Sequence, residues 1–439
     1  MDIKEQKICV LGLGYVGLTL ALVLKESGYI IAAVDKNSKV IAGLKDAKPP
    51  FFEEGLEPML KQSLSEGIDF CESIPQDSGF DYFIICVGTP VDSNYQPILS
   101  DIEKVANDIA PNLKVGSTVV LRSTVSIGTT RNVVLPILEA GSSLKAGKDF
   151  HIVFAPERTI EGKAISELRS LPQVIGGLTP KCCELGAQMF DQFCPETVAV
   201  SNLEGAEMVK MINNSYRDLT FAFANELSII CHNLGLSANE LIGAAGKGYA
   251  RGNIPKPSPG VGGYCLTKDP YLLISSIDHA KYKPVLMAEG RRINEFMPEF
   301  VSQCVVDFFG ETKKNIQDSK VFVVGFAFKG NPPTSDVRGS TTLDVVARLR
   351  EKGIKNISGT DMIVTNDVIT ALEVEPQSLA DGFRDADAVL FMNNHPDHKT
   401  LDIQGYAKTM KAPGLIFDGW GLFKASEINE IEGIQYKGL

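Results

Sequence analysis

Residues 7–24 read KICVLGLGYVGLTLALVL. Lys7 to Leu11 has the apolar, β-branched character of a buried strand, the glycines make a turn, and the remainder has helical character. The uncharged run Ile8–Leu24 resembles a short membrane or signal segment, but its three glycines fit a strand, a glycine turn and a helix better. In Gly12-x-Gly14-x-x-Gly17, Gly12 makes the tight turn, Gly14 lets a pyrophosphate approach the backbone, and Gly17 permits close helix packing. Tyr15 and Val16 open the helix, whose unpaired N–H groups face the phosphates. The next strand, IIAAVD, ends on Asp35. That acid suits an adenosine ribose and repels a 2′-phosphate, which favours NAD over NADP, although Lys36 beside it weakens the preference slightly. FAD is the competing ligand, and a purely structural turn is the plainer alternative.

Outward from this stretch, apolar runs alternate with helical patterns: DYFIICVGTP, STVVLRST, DFHIVFAPE and QVIGG follow in order up to about residue 200. Such alternation predicts a parallel sheet with crossover helices. From Leu203 to Leu234 one long helix is expected; its stretch without proline or glycine, Ala206 to Leu234, spans about 44 Å at 1.5 Å per residue. A Pro- and Gly-rich loop, Asn253 to Tyr264, leads to a second helical segment around Val285 to Phe309. Strand-like runs then resume as KVFVVGFAF, KNISGTD, DAVLFMN and GLIFDGW. The fold class is therefore α/β, with two Rossmann-like doubly wound domains joined by a central helical domain. The expected boundaries are 1–200, 201–312 and 313–439.

At 439 residues the chain exceeds what one hydrophobic core usually serves. Hydrophobic residues at 44% and charged residues at 22% supply ordinary globular cores. A net charge of −11, with no Lys/Arg-rich run, argues against nucleic-acid binding. Nine cysteines without framework spacing point to reduced thiols and a cytoplasmic protein. His151, His232, His279, His395 and His398 form no ligand spacing with cysteines, so no metal is expected. His395 and His398 read as an exposed loop.

Four further segments carry chemistry. PSPGVGGYCLTKDP, residues 257–270, holds a glycine-dense loop that leads to Cys265, a thiol expected to begin a helix whose dipole would stabilise the thiolate. Its plain alternative is a small buried hydrophobe. Lys210 and Asn214 lie one turn apart on the long helix, either offering an ammonium and an amide to a substrate or forming a solvated face. FAPERTIEG, 154–162, follows a strand end, where ligands collect in open α/β sheets. Its Glu157 and Glu161 suit a general base or dipole partners in a first helical turn. FAFKGNPPTSDVR, 326–338, offers Lys329 and Arg338 to a phosphate, or is only a turn.

Taken together these residues resemble the UDP-glucose/GDP-mannose dehydrogenase family over nearly the whole chain, most specifically in the GVGGYCLTKD loop. The resemblance implies an NAD domain, a central helical domain that forms homodimers and a nucleotide-sugar domain, with a UDP-sugar as substrate. It implies that Cys265 attacks the aldehyde made by a first oxidation, giving a thiohemiacetal, then a thioester that water hydrolyses. A free thiol, with a pKa of about 8.5, is only about a tenth ionised or less near neutral pH. By the same resemblance Lys210 stabilises the oxyanion with Asn214 beside it, Asp269 and Thr124 order water, and Glu157 is the general base. Glu161 lies near cofactor and substrate, and Thr89 and Arg338 contact NAD. Lys256 to Gly262, including Gly260, grip the sugar nucleotide together with Phe328 and Lys329. Arg251 reaches a neighbouring subunit's substrate.

The segment Pro156-Glu157-Arg158 resembles the branch that oxidises UDP-N-acetylhexosamines, UDP-N-acetylmannosamine in particular, toward surface polysaccharide, with Arg158 serving an amide-bearing sugar. UDP-glucose and GDP-mannose are the alternatives. The arginine that often follows the last C-terminal strand motif is missing at Trp420-Gly421, where Trp420 is a candidate for stacking. A one-step hydroxy-acid or 6-phosphogluconate type of dehydrogenase is a rival that needs no cysteine. A non-catalytic nucleotide-binding protein is another, and it has no use for a nucleophile.

Overall fold

Alternate residues of a strand face opposite ways. In Lys7–Leu11, Ile8 and Val10 enter one apolar cluster with Leu18, Leu22 and Phe70, while Cys9 and Leu11 enter a second with Phe83, Ile85 and Phe154. A strand buried on both faces belongs inside a sheet covered by helices. The computed structural model has that form; it describes residues 5–76, 78–278 and 280–439. Met1–Lys4, Asp77 and His279 lie outside the described residues, so part of the polar start and one of the five histidines carry no structural statement.

The chain divides into two compact units, Met1–Asn214 with Tyr271–Lys283, and Ser215–Pro270 with Pro284–Leu439. The first holds eight strands: β1 (Lys7–Leu11), β2 (Ile30–Val34), β3 (Asp69–Cys71), β4 (Tyr82–Ile85), β5 (Thr118–Leu121), β6 (His151–Phe154), β7 (Gln173–Gly177) and β8 (Thr197–Val200). Their order is β3-β2-β1-β4-β5-β6-β7-β8, parallel throughout except for β6 with β7. The order reverses between β1 and β4, and ligands bind at the carboxyl ends of strands at such a point.

The second unit repeats the plan with β9 (Lys320–Val324), β10 (Asn356–Thr360), β11 (Glu375–Pro376), β12 (Ala388–Phe391), β13 (Gly414–Asp418) and β14 (Ile434–Gly438). The order is β11-β10-β9-β12-β13-β14, all parallel. The likeness reaches individual bonds. Gly12 N–H donates to the Val34 carbonyl and Gly325 N–H to that of Thr360, each at 2.8 Å. Asp81 accepts the Lys7 N–H and Asp387 accepts the Lys320 N–H, each at 2.9 Å. The sequence runs missed β3, β8, β11 and β14. These strands are short or half-exposed edges, so they carry little of the apolar signal that marks a central strand.

The helices Leu203–Leu234 and Val285–Glu311 lie where the pattern puts them, the latter with Pro298 in its interior. The exposed loop expected at His395 and His398 is corrected: both are buried, because the short turn Pro396–Thr400 folds back so that the His398 ring lies 5.5 Å from that of Phe391. Burial first, and then His395, push the pKa of His398 down to about 4. Among the described residues no helix is long and apolar enough to cross a membrane.

Candidate active site

At the first switch point the glycines divide their work. Gly12 has φ +92°, and a Cβ there would lie 2.9 Å from the Val87 nitrogen; one at Gly17 would lie 1.8 Å from the Gly12 carbonyl oxygen. Those two positions are fixed by packing. Gly14 is different, since a Cβ there would meet nothing within 4 Å. The helix Tyr15–Glu26 behind it has no side-chain cap and no acid in its first turn, so its N–H groups suit a pyrophosphate. Asp35 accepts the Leu13 N–H at 2.8 Å through one oxygen and the Asn37 N–H at 2.9 Å through the other, leaving lone pairs for ribose hydroxyls. These residues fit a dinucleotide. Thr89 and Thr124 meet at the ends of β4 and β5, the Thr89 hydroxyl donating to the Thr124 carbonyl. Lys36 is turned to an exposed pair with Asp101 at 2.7 Å.

Past the end of β6, Glu157 and Lys210 come together. The Lys210 Nζ donates to the Glu157 carbonyl at 2.6 Å and lies 3.4 Å from Oε2, and both side chains are buried. Asn214 is buried too, so the solvated-face alternative for this helix face is excluded. The stretch around Glu157 is irregular, and the next helix begins at Ala164, which excludes the alternative that Glu157 and Glu161 are dipole partners in a first helical turn. Burial alone would raise the Glu157 carboxyl. The Lys210 ammonium, the Arg122 guanidinium and bonds from Thr159 outweigh it and hold the group below its ordinary 4.5. Arg158 is half-buried and donates to the Pro172 carbonyl. The backbone on either side of Lys163, just past Glu161, is clamped by Glu53, which accepts the N–H groups of Gly162 at 2.6 Å and Ala164 at 2.7 Å.

In the second unit the loop 256–263 crosses the carboxyl ends of the strands. A Cβ at Gly263 would strike the Phe328 ring at 2.6 Å, one at Gly262 the Gly339 carbonyl at 2.5 Å, and one at Gly419 the ring of Pro259 at 2.4 Å. Lys256 Nζ donates to the Gly421 carbonyl at 3.0 Å. Cys265 is half-buried in consecutive turns after this loop. It does not begin a helix. Its carbonyl accepts the Asp269 N–H at 2.9 Å, and the helix Asp269–Ser275 starts only there, because Pro270 is tolerated in a first turn and not further in. Buried Lys268 and Asp269 pair at 2.8 Å. The Tyr264 ring carries Lys268 Nζ at 5.2 Å and the Arg338 guanidinium at 5.1 Å, and Arg338 also grips buried Asp336. Lys329 Nζ lies 5.4 Å from the Phe328 ring centre, and exposed Arg251 lies over Tyr249. The Trp420 indole N–H donates to the Met392 carbonyl at 2.9 Å.

Several supporting residues escaped the sequence reading. Arg291 pairs with Asp218 at 2.7 Å, Asn294 donates to Asp218 at 2.8 Å, and Asn225 donates to Asn294 at 2.9 Å. Asn225 in turn accepts the Ser258 N–H at 2.8 Å, so a buried chain of polar groups ends on the glycine loop. Only the apolar context of these residues on two helices could have hinted at it. Arg122, Gln173 and Glu53 likewise gave no motif. Among the described residues no three His, Cys, Asp or Glu side chains converge as a metal would require.

Two doubly wound sheets, one with a glycine loop and an acid whose free lone pairs suit a ribose, match the plan of a dinucleotide-dependent oxidoreductase. Models of one family match in succession: the NAD binding domain over residues 6–194, the central domain over 204–296 and the UDP binding domain over 322–425. The chain belongs to the UDP-glucose/GDP-mannose dehydrogenase family, and it is an NAD-dependent nucleotide-sugar dehydrogenase. It is 34% identical over 438 residues to the UDP-N-acetyl-D-mannosamine dehydrogenase of Pyrococcus horikoshii, covering 99% of each chain. The solved structure of a UDP-D-ManNAc dehydrogenase from that organism aligns over 99% of both chains at 32% identity and a TM-score of 0.89. A UDP-N-acetyl-mannosamine dehydrogenase of Staphylococcus aureus aligns over 99% of this chain and 98% of its own at 31% and 0.84. A UDP-glucose dehydrogenase of Pyrobaculum islandicum aligns over 100% and 98% at 25% and 0.87.

Proposed function

We propose that this chain oxidises the C6 alcohol of a UDP-N-acetylhexosamine, UDP-N-acetyl-D-mannosamine foremost, to the uronic acid, a precursor for surface polysaccharide. The full-length identity to the Pyrococcus relative carries the substrate assignment. Arg158, beside Glu157, supports it by offering a cation suited to an amide-bearing sugar. UDP-glucose is the second reading, favoured by the likeness to the Pyrobaculum structure. We assign residues 1–200 to NAD, 201–312 to the central domain and 313–439 to the UDP-sugar, in a cytoplasmic enzyme.

NAD, when bound, takes up a hydride in each of two oxidations. Thr124 and Asp269 order the water through which the hydroxyl proton leaves in the first. Cys265 Sγ then adds to the aldehyde carbon, while Lys210 and Asn214 hold the developing oxyanion. The tetrahedral thiohemiacetal, unlike the free aldehyde, is a hydride donor, and it leaves a thioester on Cys265. Water deprotonated by Glu157 breaks the C–S bond, releasing the acid and returning the thiol. Paired with Lys210, Glu157 is a weak base; transfer of the Lys210 charge to the oxyanion restores its basicity. One water is consumed and two NAD are reduced per sugar.

A homodimer is supported by the long helix, where Met208, Ile212, Tyr216, Phe223, Ile230 and Leu234 are exposed apolar side chains at spacings of four and seven, which align on one face. Arg251 would then reach the partner's substrate. The activity test counts NADH against a panel of UDP-N-acetylmannosamine, UDP-N-acetylglucosamine, UDP-glucose and GDP-mannose. Two NADH per molecule of the first are expected, with Cys265→Ala forming no acid yet still binding NAD. A single NADH per sugar, or undiminished acid from the variant, rejects the mechanism.

A further inference from the structure

Three consecutive carbonyls past β6 are each held by a buried side-chain donor. Arg122, from the end of β5 and 2% exposed, donates to the Ala155 carbonyl at 3.2 Å. Gln173, the first residue of β7, donates to the Pro156 carbonyl at 2.9 Å, and Lys210 to that of Glu157 at 2.6 Å. Arg122 and Gln173 are also bonded to each other at 2.9 Å, so the two act as one piece. Burying a guanidinium is costly, and a turn needs only neutral donors to satisfy its carbonyls. The cation here lies with its carbon 5.5 Å from the Phe190 ring centre, away from water, and close enough to Glu157 to act on its charge.

We propose that Arg122 and Gln173 form a seat for Glu157, fixing its backbone through Ala155 and Pro156 and placing a second positive charge, besides Lys210, behind it. They are positioning residues, and the proposal rests on the reading of Glu157 as a group that acts on the substrate. The charged or titratable groups around Glu157 are Lys210 on the long helix, Arg122 after β5, Cys86 after β4 and the adjoining Arg158. Of these, Lys210 and Arg122 favour the carboxylate. Burial raises the Cys86 thiol to about 12, so it stays neutral.

The test uses the full chain with Arg122→Gln, Arg122→Lys, Gln173→Met and Glu157→Gln, following kcat/KM against pH, NAD affinity and Tm. In Arg122→Gln the acid limb that Glu157→Gln abolishes is expected to move up by about one pH unit or more, with NAD affinity unchanged. Arg122→Lys returns most of that movement. Gln173→Met, which keeps the cation, lowers kcat about tenfold through misplacement with little movement of the limb. Should Arg122→Gln not fold, Gln173→Met carries the test: a kcat lowered about tenfold with the limb in place supports the seat, and a wild-type kcat overturns it. A limb unmoved in Arg122→Gln, together with wild-type kcat in Gln173→Met, overturns the seat. If Glu157→Gln leaves the profile untouched, the substrate role of Glu157 falls instead. The seat is then judged on the Glu157 carboxyl signal in protein labelled with 13C at glutamate Cδ: titration at higher pH in Arg122→Gln supports it, and an unmoved titration overturns it.

Discussion

At the scale of single residues, burial separates two ion pairs that look alike in the sequence. Lys36 and Asp101 meet at 2.7 Å on the surface, where solvent and salt screen the pair. Lys210 and Glu157 meet inside, where removing one partner strands the other's charge. Lys210→Met is therefore expected to cost about 3–5 kcal/mol of stability, while Lys36→Ala stays within about 1 kcal/mol, read as the difference in urea midpoints. The pH dependence follows from the sign. Glu157 has a folded pKa below its ordinary value, so its stabilisation is present above the unfolded pKa and is lost as pH falls through the folded one. In the wild type this loss begins only below about pH 4.5; in Lys210→Met protonation relieves the stranded carboxylate, so the variant's deficit against the wild type is expected to shrink as pH falls. A midpoint that falls equally at pH 7 and pH 4 in the variant and the wild type would contradict it. The helical spacing of Lys210 and Asn214 was legible in the sequence. Their burial was not, because what covers a helix face is supplied by distant segments.

At the scale of elements, the glycine turn makes a discriminating experiment possible. A Cβ at residue 17 collides with the Gly12 carbonyl, whereas one at residue 14 meets no protein atom. Gly17→Ala is expected to lower Tm and abolish NAD binding together. Gly14→Ala is expected to keep the wild-type Tm of the apoprotein while weakening NAD about tenfold or more, measured by calorimetric titration, since the methyl enters the pyrophosphate's space. Equal loss of Tm in both variants would remove the distinction. The other glycine loop has a different physical origin. Pro298 has no N–H to give to the Asn294 carbonyl one turn back in its helix, and Gly260, at φ +118°, brings its Cα so near that carbonyl that a Cβ would lie 2.9 Å away. The sequence displayed both the proline and the glycines of 257–263, but not that one accommodates the other.

At the scale of the whole molecule, two sheets of one plan have diverged at the same position. Asp35 accepts one bond from the turn of its own sheet, at the Leu13 N–H, and keeps capacity for a ribose. Its counterpart Asp361 accepts from Phe326, Ala327, Ile363, Val364 and Asn393, so its oxygens are spent on the protein. The second turn also lacks the middle glycine. A second copy of the chain is the proposed occupant of the apolar face on the long helix: the wild type is expected to show a dimer's mass by light scattering and Phe223→Glu with Ile230→Glu a monomer's; equal masses argue against that face. By itself the sequence determined the α/β class, the two runs of alternating strands, the long helix and the dinucleotide turn, because these depend on local periodicity and on what only glycine permits. The tertiary structure decided that Lys210 is paired with Glu157, that Cys265 lies in the turns ahead of the helix Asp269–Ser275, and that Arg122 and Gln173 stand behind the Glu157 carboxylate. Those facts depend on which segments meet across the sheet. No local pattern encodes them, since the free energy of a buried charge is set by its neighbours in space.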